Sequence, residues 1–366
     1  MIDTMGIIFS SNNETDLGEL GTIRSVAALP FAGRYRLIDF ILSGMVNSGI
    51  INVGVTTDYN YRSLLDHLGS GKPWDLARKK YGLFILPPFA ENLSKYEDQR
   101  MGMILGALHY LKRSQQKYVV VADCNNVCNI RFEEVLARHK ESGADLTIIY
   151  QDTDKGQPGL YLDIEGDRVC GLISKHDEKP RLHRSVGYYV FTKDLLINIL
   201  ERCQSQGKKD VVKDVLELYI TRHNVLAYRF DKYLETITDV DSYYRVSMDL
   251  LDGDVRKQLF VADDTIFTKV KDKVPTRYLE NAVVKNSMIA DGCVIDGKVE
   301  NCILFRGVSV EKGAKLKNCI IMQDTVISRD ARLSCTILDK NCVICKGKEL
   351  VGQPEFPVVV GKRRTI

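Results

Sequence analysis

Over roughly its first 245 residues, the chain alternates short apolar runs with segments whose apolar residues recur at helical spacing. This alternation predicts an α/β domain built on a mostly parallel sheet with helices on both faces. Ligands of such sheets bind at the carboxyl ends of the strands, so the residues after Phe9, Thr56 and Ala122 are the first candidates for a site. The predicted strands are 5–9, 51–56, 118–122 and 145–150, and the predicted helices are 36–47, 102–113 and 131–142.

After about residue 281 the apolar period becomes six. Val283, Ile289 and Ile295 form one such series, a second starts at Val308, and a third at Ile321. Gly or Asn recurs at the intervening turn positions, which is typical of hexapeptide repeats that stack into a β-helix. The alternative is an irregular β domain, but the agreement of three series favours the β-helix. The predicted organisation is an α/β domain over 1–246, a linker over 247–280 and a β-helix over 281–366.

Composition and charge narrow the classes of function. Hydrophobic residues make up 45% and charged residues 27% of the chain, as in ordinary globular proteins. There are 51 Lys and Arg against 48 Asp and Glu, a difference of +3. So small an excess gives no reason to expect a nucleic-acid partner. No apolar run approaches the roughly 18–20 residues that span a bilayer, so no membrane partner is expected either.

The ten cysteines do not predict a disulfide scaffold or a zinc site. One CxxC pair occurs, at Cys342 and Cys345. If this segment is a strand, residues three apart point to opposite faces and cannot share a metal. We therefore expect buried, apolar cysteines, no metal bound by this chain, and the reducing cytoplasm as its location.

Several segments resemble the ADP-glucose pyrophosphorylase family, also called glucose-1-phosphate adenylyltransferase. Residues 29–50 read LPFAGRYRLIDFILSGMVNSGI, which is similar to the family signature PFxGxYRxIDFxLSNxxNSGI. The resemblance implies a nucleotidyltransferase domain with a Rossmann-like mixed sheet, followed by a left-handed parallel β-helix of hexapeptide repeats. Further similar blocks are 71–76, 86–89, 185–189, 243–251 and 299–307.

The resemblance also implies a chemistry, the formation of ADP-glucose and pyrophosphate from ATP and glucose-1-phosphate. That reaction requires a glycine-rich loop whose N–H groups reach the triphosphate. It also requires Mg²⁺ and basic side chains to offset the charge that develops at phosphorus. Carboxylates must hold the metal.

The triphosphate loop departs from the family pattern LAGGxGTRLxxLT. By a count without gaps, Ser11, Asn12 and Glu14 replace its glycines and Asp16 replaces its arginine. Two carboxylates would then face a polyanion where the family presents N–H groups and a cation. The alternative is that Glu14 and Asp16 belong to a solvated loop on an intact enzyme.

Two further catalytic positions have changed. Val26 stands where the family block RAKPAVPF has its lysine, and Thr236 stands where WRDVGT has the second metal-binding Asp. Asp123 matches the first metal-binding carboxylate. One carboxylate in place of two weakens Mg²⁺ binding. Near the nucleotide, Arg100 falls beside the family's GTA step and could be a new anion contact.

The sugar-phosphate end keeps the family pattern better. Glu178 and Lys179 match the EKP block, whose lysine contacts glucose-1-phosphate, and Ser185 matches the strand that lines the sugar. We expect these residues to be a residual sugar-phosphate site. The alternative is that Lys179 is an ordinary surface lysine.

Two hypotheses follow, from different classes of protein. One is an active adenylyltransferase, and the other is a non-catalytic D-type subunit that modulates a catalytic C-type subunit for glycogen synthesis. Four separate losses, of the loop glycines, the loop arginine, the lysine and the second carboxylate, favour the second. It implies a hetero-oligomer, expected to be a tetramer, in which Mg²⁺ is bound by the catalytic partner and this chain binds no cofactor.

A basic cluster predicts an effector site. Arg24, Arg34 and Arg36 follow the loop, and the C-terminal residues Lys362, Arg363 and Arg364 follow an apolar run. The planar guanidinium suits phosphate, so a sugar-phosphate effector is expected between the two groups. In the other reading, Arg34 and Arg36 orient the first helix through carboxylates such as Asp39, and the C-terminal segment is solvated.

Overall fold

The structure is a computed structural model, and it describes residues 3–10, 15–57, 60–87, 99–153, 159–173, 182–261 and 263–366. Five of the predicted site residues lie outside these described residues: Ser11, Asn12, Glu14, Glu178 and Lys179.

The first domain is built on a nine-stranded sheet whose strand order is β5-β4-β1-β6-β11-β8-β12-β10-β9. Its strands, with two short two-stranded pairs (β2 with β3 and β7 with β13), are β1 (Thr4–Phe9), β2 (Pro30–Phe31), β3 (Tyr35–Arg36), β4 (Asn52–Thr56), β5 (Gly82–Leu86), β6 (Tyr118–Asp123), β7 (Asn126–Cys128), β8 (Leu146–Thr153), β9 (Tyr161–Glu165), β10 (Arg168–Ile173), β11 (Leu182–Thr192), β12 (Val225–Arg229) and β13 (Leu234–Thr236).

Helices cover both faces of this sheet, and each buries the apolar side that its spacing predicts. In α1, for example, Leu37, Phe40, Ile41 and Met45 are buried. The α-helices of the described residues are α1 (Leu37–Asn47), α2 (Arg62–Leu68), α3 (Gln99–Gly106), α4 (Leu108–Arg113), α5 (Glu133–Glu141), α6 (Lys193–Ser205), α7 (Glu217–Arg222), α8 (Val240–Asp249) and α9 (Gly253–Leu259).

The alternating pattern correctly predicts the α/β class, but the sheet is mixed rather than mostly parallel. β1, β4, β5 and β6 run parallel, as do β8 and β12. β11 lies antiparallel between β6 and β8, and β9 and β10 form an antiparallel pair at the sheet edge. Apolar runs alone do not report strand direction, since a buried antiparallel strand reads like a buried parallel one.

The second domain is a parallel β-helix of three five-stranded sheets, as the six-residue period predicts. Stacked residues lie one coil apart: Val310 pairs with Ile327, which is 327 − 310 = 17 residues later. Its strands are β14 (Arg277–Tyr278), β15 (Val283–Lys285), β16 (Met288–Ile289), β17 (Val294–Ile295), β18 (Lys298–Glu300), β19 (Ile303–Leu304), β20 (Ser309–Val310), β21 (Lys315–Lys317), β22 (Ile320–Ile321), β23 (Val326–Ile327), β24 (Arg332–Ser334), β25 (Thr336–Leu338), β26 (Val343–Ile344), β27 (Glu349–Val351) and β28 (Val358–Val360).

The core of the β-helix is filled by apolar residues from all three sides of each coil, such as Ile327, Leu333 and Leu338. Val283, the first member of a predicted series, is 43% exposed and points outward. A strict six-residue count ignores the turns, so it slips off the inward face at that point. Cys342 is buried and Cys345 is half-buried, and each is a free cysteine.

The two domains share one hydrophobic core. One sheet of the β-helix, formed by β16, β19, β22, β25 and β28, faces the α/β domain. Its residues Ile303, Ile320 and Ile337 pack against that domain. The Tyr244 hydroxyl in α8 donates a hydrogen bond of 2.8 Å to the carbonyl oxygen of Asn318. Of the predicted domain boundaries, position 246 lies within helix α8, and position 281 lies after β14, the first strand of the β-helix.

None of the described helices has both the length and the hydrophobicity needed to cross a bilayer.

Candidate functional site

A cleft opens at the carboxyl ends of β6 and β13, beside the first half of β11, at the edge of the sheet where ligands of such folds bind. Asp123, the last residue of β6, lines it and is 7% exposed. Its Oδ2 lies 3.7 Å from Nη1 of Arg100, and both side chains are largely buried. The sequence predicted Asp123 as a metal-type carboxylate and Arg100 as an anion contact. The structure places the two residues face to face.

The close approach of β11 to Asp123 in this cleft requires a glycine at position 187. Gly187 has a φ of +73° and interrupts the pairing of β11 between Ser185 and Tyr188. A Cβ at this position would lie 2.4 Å from Oδ2 of Asp123, so only glycine lets the strand approach the carboxylate. The Gly187 N–H donates to the Ser185 hydroxyl at 3.3 Å. Ser185 lines the cleft, and its role in a residual sugar-phosphate site stays a prediction.

Thr236 also lines the cleft, and it is the residue that the sequence analysis aligns with the family's second metal carboxylate. It ends β13, which pairs with β7 so that Thr236 lies opposite Asn126. The Thr236 hydroxyl donates to Oδ1 of Asn126 at 2.7 Å and accepts a hydrogen bond of 3.1 Å from Nη2 of Arg184. A guanidinium therefore contacts the position from which a carboxylate would hold metal.

Arg184 was missed by the sequence reasoning. It is 7% exposed, and burial lowers the pKa of its guanidinium. The available signal was an arginine directly before the SVGYY block, but Arg181 and His183 are also basic, so Arg184 did not stand out in the sequence. Only the pairing of β7 with β13 shows that this arginine reaches Thr236.

The described residues do not fit a Mg²⁺ site in this cleft. No group of three His, Cys, Asp or Glu side chains within the described ranges is arranged to hold a metal ion. Mg²⁺ requires hard anionic oxygen ligands in near-octahedral geometry. Here the one carboxylate faces Arg100 and the opposite wall presents Arg184.

Two more of the changed family positions lie in the described residues: Asp16 in the predicted triphosphate loop and Val26 in the block that follows it. The Asp16 N–H donates to the Thr238 carbonyl oxygen at 2.7 Å, which joins this segment to the chain just after β13. The Asp16 carboxylate is exposed and accepts a bond of 3.0 Å from the Gly18 N–H. Val26 is 8% exposed in a short 3-10 turn, so an apolar side chain stands at the lysine position.

The predicted basic cluster divides into buried and exposed parts. Arg24 forms an ion pair of 2.6 Å with Asp339 of the β-helix, and both side chains are buried. Nη1 of Arg36 donates to the carbonyl and hydroxyl oxygens of Ser63, each at 2.7 Å. Burial lowers the pKa of Arg36 to about 10. Asp39 accepts a bond from the Arg36 backbone N–H at 3.0 Å, so the guanidinium does not orient α1 through this carboxylate.

The remaining members of the predicted cluster are exposed, and the half-buried Lys340 lies near its buried members. The Arg34 guanidinium lies over the Tyr35 ring at 5.5 Å. Lys362, Arg363 and Arg364 are exposed, although the Arg363 N–H donates to the Lys340 carbonyl oxygen at 3.0 Å. Burial first, and then Arg36 and Arg24, lower the pKa of the Lys340 amine to about 7. Sequence reasoning missed Lys340, since nothing in its local sequence marks it.

Comparison with known proteins supports the two-domain fold. The model for the family described as nucleotidyl transferase matches residues 6–253. A model described as GlmU-like, C-terminal hexapeptide, matches residues 273–355. The chain therefore belongs to the nucleotidyl transferase family.

Individual relatives show which members of this family the chain resembles. The chain is 40% identical over 358 residues to the glycogen biosynthesis protein GlgD of Bacillus subtilis, which covers 98% of this chain and 95% of the relative. It is 41% identical over 313 residues to GlgD of Geobacillus stearothermophilus, covering 85% of this chain and 82% of the relative. The glucose-1-phosphate adenylyltransferase of Clostridium botulinum strain Alaska E43 is 31% identical over 319 residues, with the same coverage. The predicted resemblance is confirmed, and the chain is more similar to these GlgD proteins than to this adenylyltransferase.

Proposed function

We propose that this chain is a non-catalytic, regulatory subunit of bacterial glucose-1-phosphate adenylyltransferase, and that it modulates ADP-glucose synthesis for glycogen. The observation that carries the proposal is the charge in the cleft. A cation, Arg184, contacts Thr236 at the position of the second metal carboxylate, and Arg100 faces Asp123.

The chemistry explains why this arrangement is unsuited to catalysis. Nucleotidyl transfer relies on cations placed at the phosphoryl oxygens, because little else lowers the barrier. Removal of one such electrostatic contact typically lowers the rate by about 10²–10³. With Thr236 at the position of the second carboxylate and Val26 at the position of the lysine, this site lacks two of these electrostatic contacts.

The relatives support the same proposal. Two proteins named for glycogen biosynthesis, both GlgD, are 40% and 41% identical to this chain, against 31% for the adenylyltransferase compared above. We propose the cytoplasm as the location, in keeping with ten free cysteines and the glycogen pathway of these relatives.

The proposed partner is a catalytic C-type subunit that carries Mg²⁺, in a hetero-oligomer expected to be a tetramer. Oligomers of related chains need matching surfaces, which gives the retained fold a purpose. Exposed apolar side chains are available for this contact just before the β-helix and on its first coil: Val270, Val274, Tyr278, Leu279 and Val283.

The effector site is proposed between the domains. Arg24, Arg36 and Lys340 place three basic groups where the α/β domain meets the β-helix. A phosphorylated sugar bound there would bias the contact between the domains, which the catalytic partner senses. Arg34, Lys362, Arg363 and Arg364 are exposed and could extend the site toward solvent.

The alternative function is an active adenylyltransferase, which the retained Asp123 favours. One experiment separates the two: a pyrophosphorylase assay of this chain alone, of a catalytic subunit alone, and of the two co-expressed and co-purified. We expect no ADP-glucose above background from this chain alone, and changed activation of the partner in the mixture. A turnover number of even about 1 s⁻¹ for the isolated chain would contradict the proposal.

A further inference from the structure

The side chain of Arg184 is held in the cleft by the fold. It lies on β11, which pairs with β8 and β9, so its backbone is fixed on both sides. Its Nη2 donates to Oγ1 of Thr236 at 3.1 Å, and the residue is 7% exposed. Thr236 is held in turn by Asn126, whose own side-chain amide donates to the Val186 carbonyl oxygen at 2.6 Å.

The charged side chains that line the cleft do not favour a divalent cation. Among the described residues that line it, the charged side chains are Arg100, Asp123 and Arg184. Two cations and one anion leave a net charge of +1. A site that binds a divalent cation needs the opposite balance, since the carboxylates must offset the charge of the ion.

Thr236 offers little to a metal in this arrangement. Its hydroxyl proton is directed at Asn126, and Arg184 donates to its oxygen. A divalent ion at the same oxygen would have to displace the guanidinium or lie beside it, and two like charges a few ångströms apart repel strongly in a buried site. Replacement of Thr236 by a carboxylate would therefore create an ion pair with Arg184 before it created a metal ligand.

We propose that Arg184 is a built-in cation of this cleft: its guanidinium takes the place of the divalent metal and keeps metal out, even when the second carboxylate is restored. The inference goes beyond the non-catalytic role and does not depend on it. That role is tested by turnover, whereas this inference is tested by metal binding.

The test is Mn²⁺ binding to the purified full chain, followed by electron paramagnetic resonance of free Mn²⁺. We expect at most weak Mn²⁺ binding in the cleft for the wild type and for Thr236→Asp. The double variant Thr236→Asp with Arg184→Gln should bind Mn²⁺ about 10–100-fold more tightly than Thr236→Asp, the range typical of changes around metal ligands. The double variant Thr236→Asp with Arg184→Lys keeps a cation and should behave like Thr236→Asp alone.

Three controls make the outcome specific. Asp123→Asn, added to the binding variant, should abolish the gain and so place the ion in the cleft. Arg229→Gln, added to Thr236→Asp, removes an arginine that pairs with Asp231 at the surface and should give no gain. Thermal unfolding of each variant checks folding, and Mn²⁺ should raise the midpoint of the binding variant only.

Each contrary result overturns the inference. If the wild type binds Mn²⁺ tightly through Asp123, the cleft is an ordinary metal site. If Thr236→Asp binds as tightly as its Arg184→Gln derivative, the guanidinium is not the barrier. If the folded Arg184→Gln derivative still binds nothing, the exclusion comes from another part of the chain.

Discussion

A buried ion pair joins the two domains. Arg24 contributes the cation from the segment after the loop, and Asp339 contributes the anion from the β-helix, 2.6 Å away. The Asp339 carboxylate also accepts a bond from the Lys340 backbone N–H at 2.7 Å. Because both partners are buried, neither charge can be solvated when the other is removed.

Arg24→Ala should therefore destabilise the protein by about 3–5 kcal/mol, the range for leaving a buried charge unpaired. The measurement is the free energy of unfolding in urea. A matched double variant, Arg24→Met with Asp339→Leu, removes both charges and should lose much less. If the double variant costs as much as Arg24→Met and Asp339→Leu measured singly and added together, the pair is not coupled as the geometry indicates.

At the scale of elements, the β-helix is stabilised by a column of asparagines at its corners. Asn286, Asn301 and Asn318 all have positive φ, between 38° and 53°. The amide of Asn286 donates to Oδ1 of Asn301 at 2.9 Å, and that of Asn301 donates to Oδ1 of Asn318 at 3.2 Å. Each asparagine thus tolerates the left-handed backbone and also links its coil to the next.

Asn301→Gly and Asn301→Ala should separate these two contributions. Both lose the two side-chain bonds, which are worth about 0.5–1.5 kcal/mol each. Alanine also has to adopt the left-handed conformation, so it should cost about 1–2 kcal/mol more than glycine. Unfolding free energies of the two variants give the comparison, and equal values would show that backbone strain at this corner is unimportant.

Asn341 provides the control for that series. It has a φ of 58° and is exposed on a later coil, away from the column. Asn341→Gly should leave stability nearly unchanged, since glycine accepts the same backbone conformation and no column bond is lost.

At the scale of the whole molecule, basic groups meet where the two domains pack. Burial, Arg36 and Arg24 lower the pKa of Lys340 to about 7, from 10.5. Between these two pH values the unfolded chain binds the proton and the folded chain does not. The contribution of Lys340 to stability therefore rises with pH from about 7 to about 10.5 and is unfavourable at the lower end.

Lys340→Met should remove this dependence. The wild type should gain stability relative to the variant by up to about 1.4 kcal/mol per pH unit between pH 7 and 10. Urea unfolding of both proteins at several pH values measures the difference, in which other titrations cancel. A difference that does not vary with pH would contradict the assigned shift.

The same variant tests the proposed effector site. A phosphorylated sugar bound between Arg36 and Lys340 favours the protonated amine, so it should raise the thermal midpoint of the wild type more at pH 7 than at pH 9. The Lys340→Met variant should show a smaller rise, without this pH dependence. An equal rise in both proteins would place the effector elsewhere.

The sequence by itself determined the order of the elements and the two-part fold. Apolar periodicity depends only on local geometry, with successive side chains on alternate faces of a strand and on one face of a helix at 3.6-residue spacing. It therefore predicted α1, β4 and β6 to within about two residues, and the change to a six-residue period predicted the β-helix. The family motifs also aligned Asp123 and Thr236 with the two metal carboxylates, and the structure shows that both residues line one cleft.

Only the tertiary structure decided which charges meet. Arg184 and Thr236 are 52 residues apart, and Arg24 and Asp339 are 315 apart, so no local pattern could pair them. The sequence also could not show the direction of β11, because an apolar run is compatible with either direction. Electrostatic roles depend on distance and burial, which the packing of β7 on β13 and of the β-helix on the α/β domain sets.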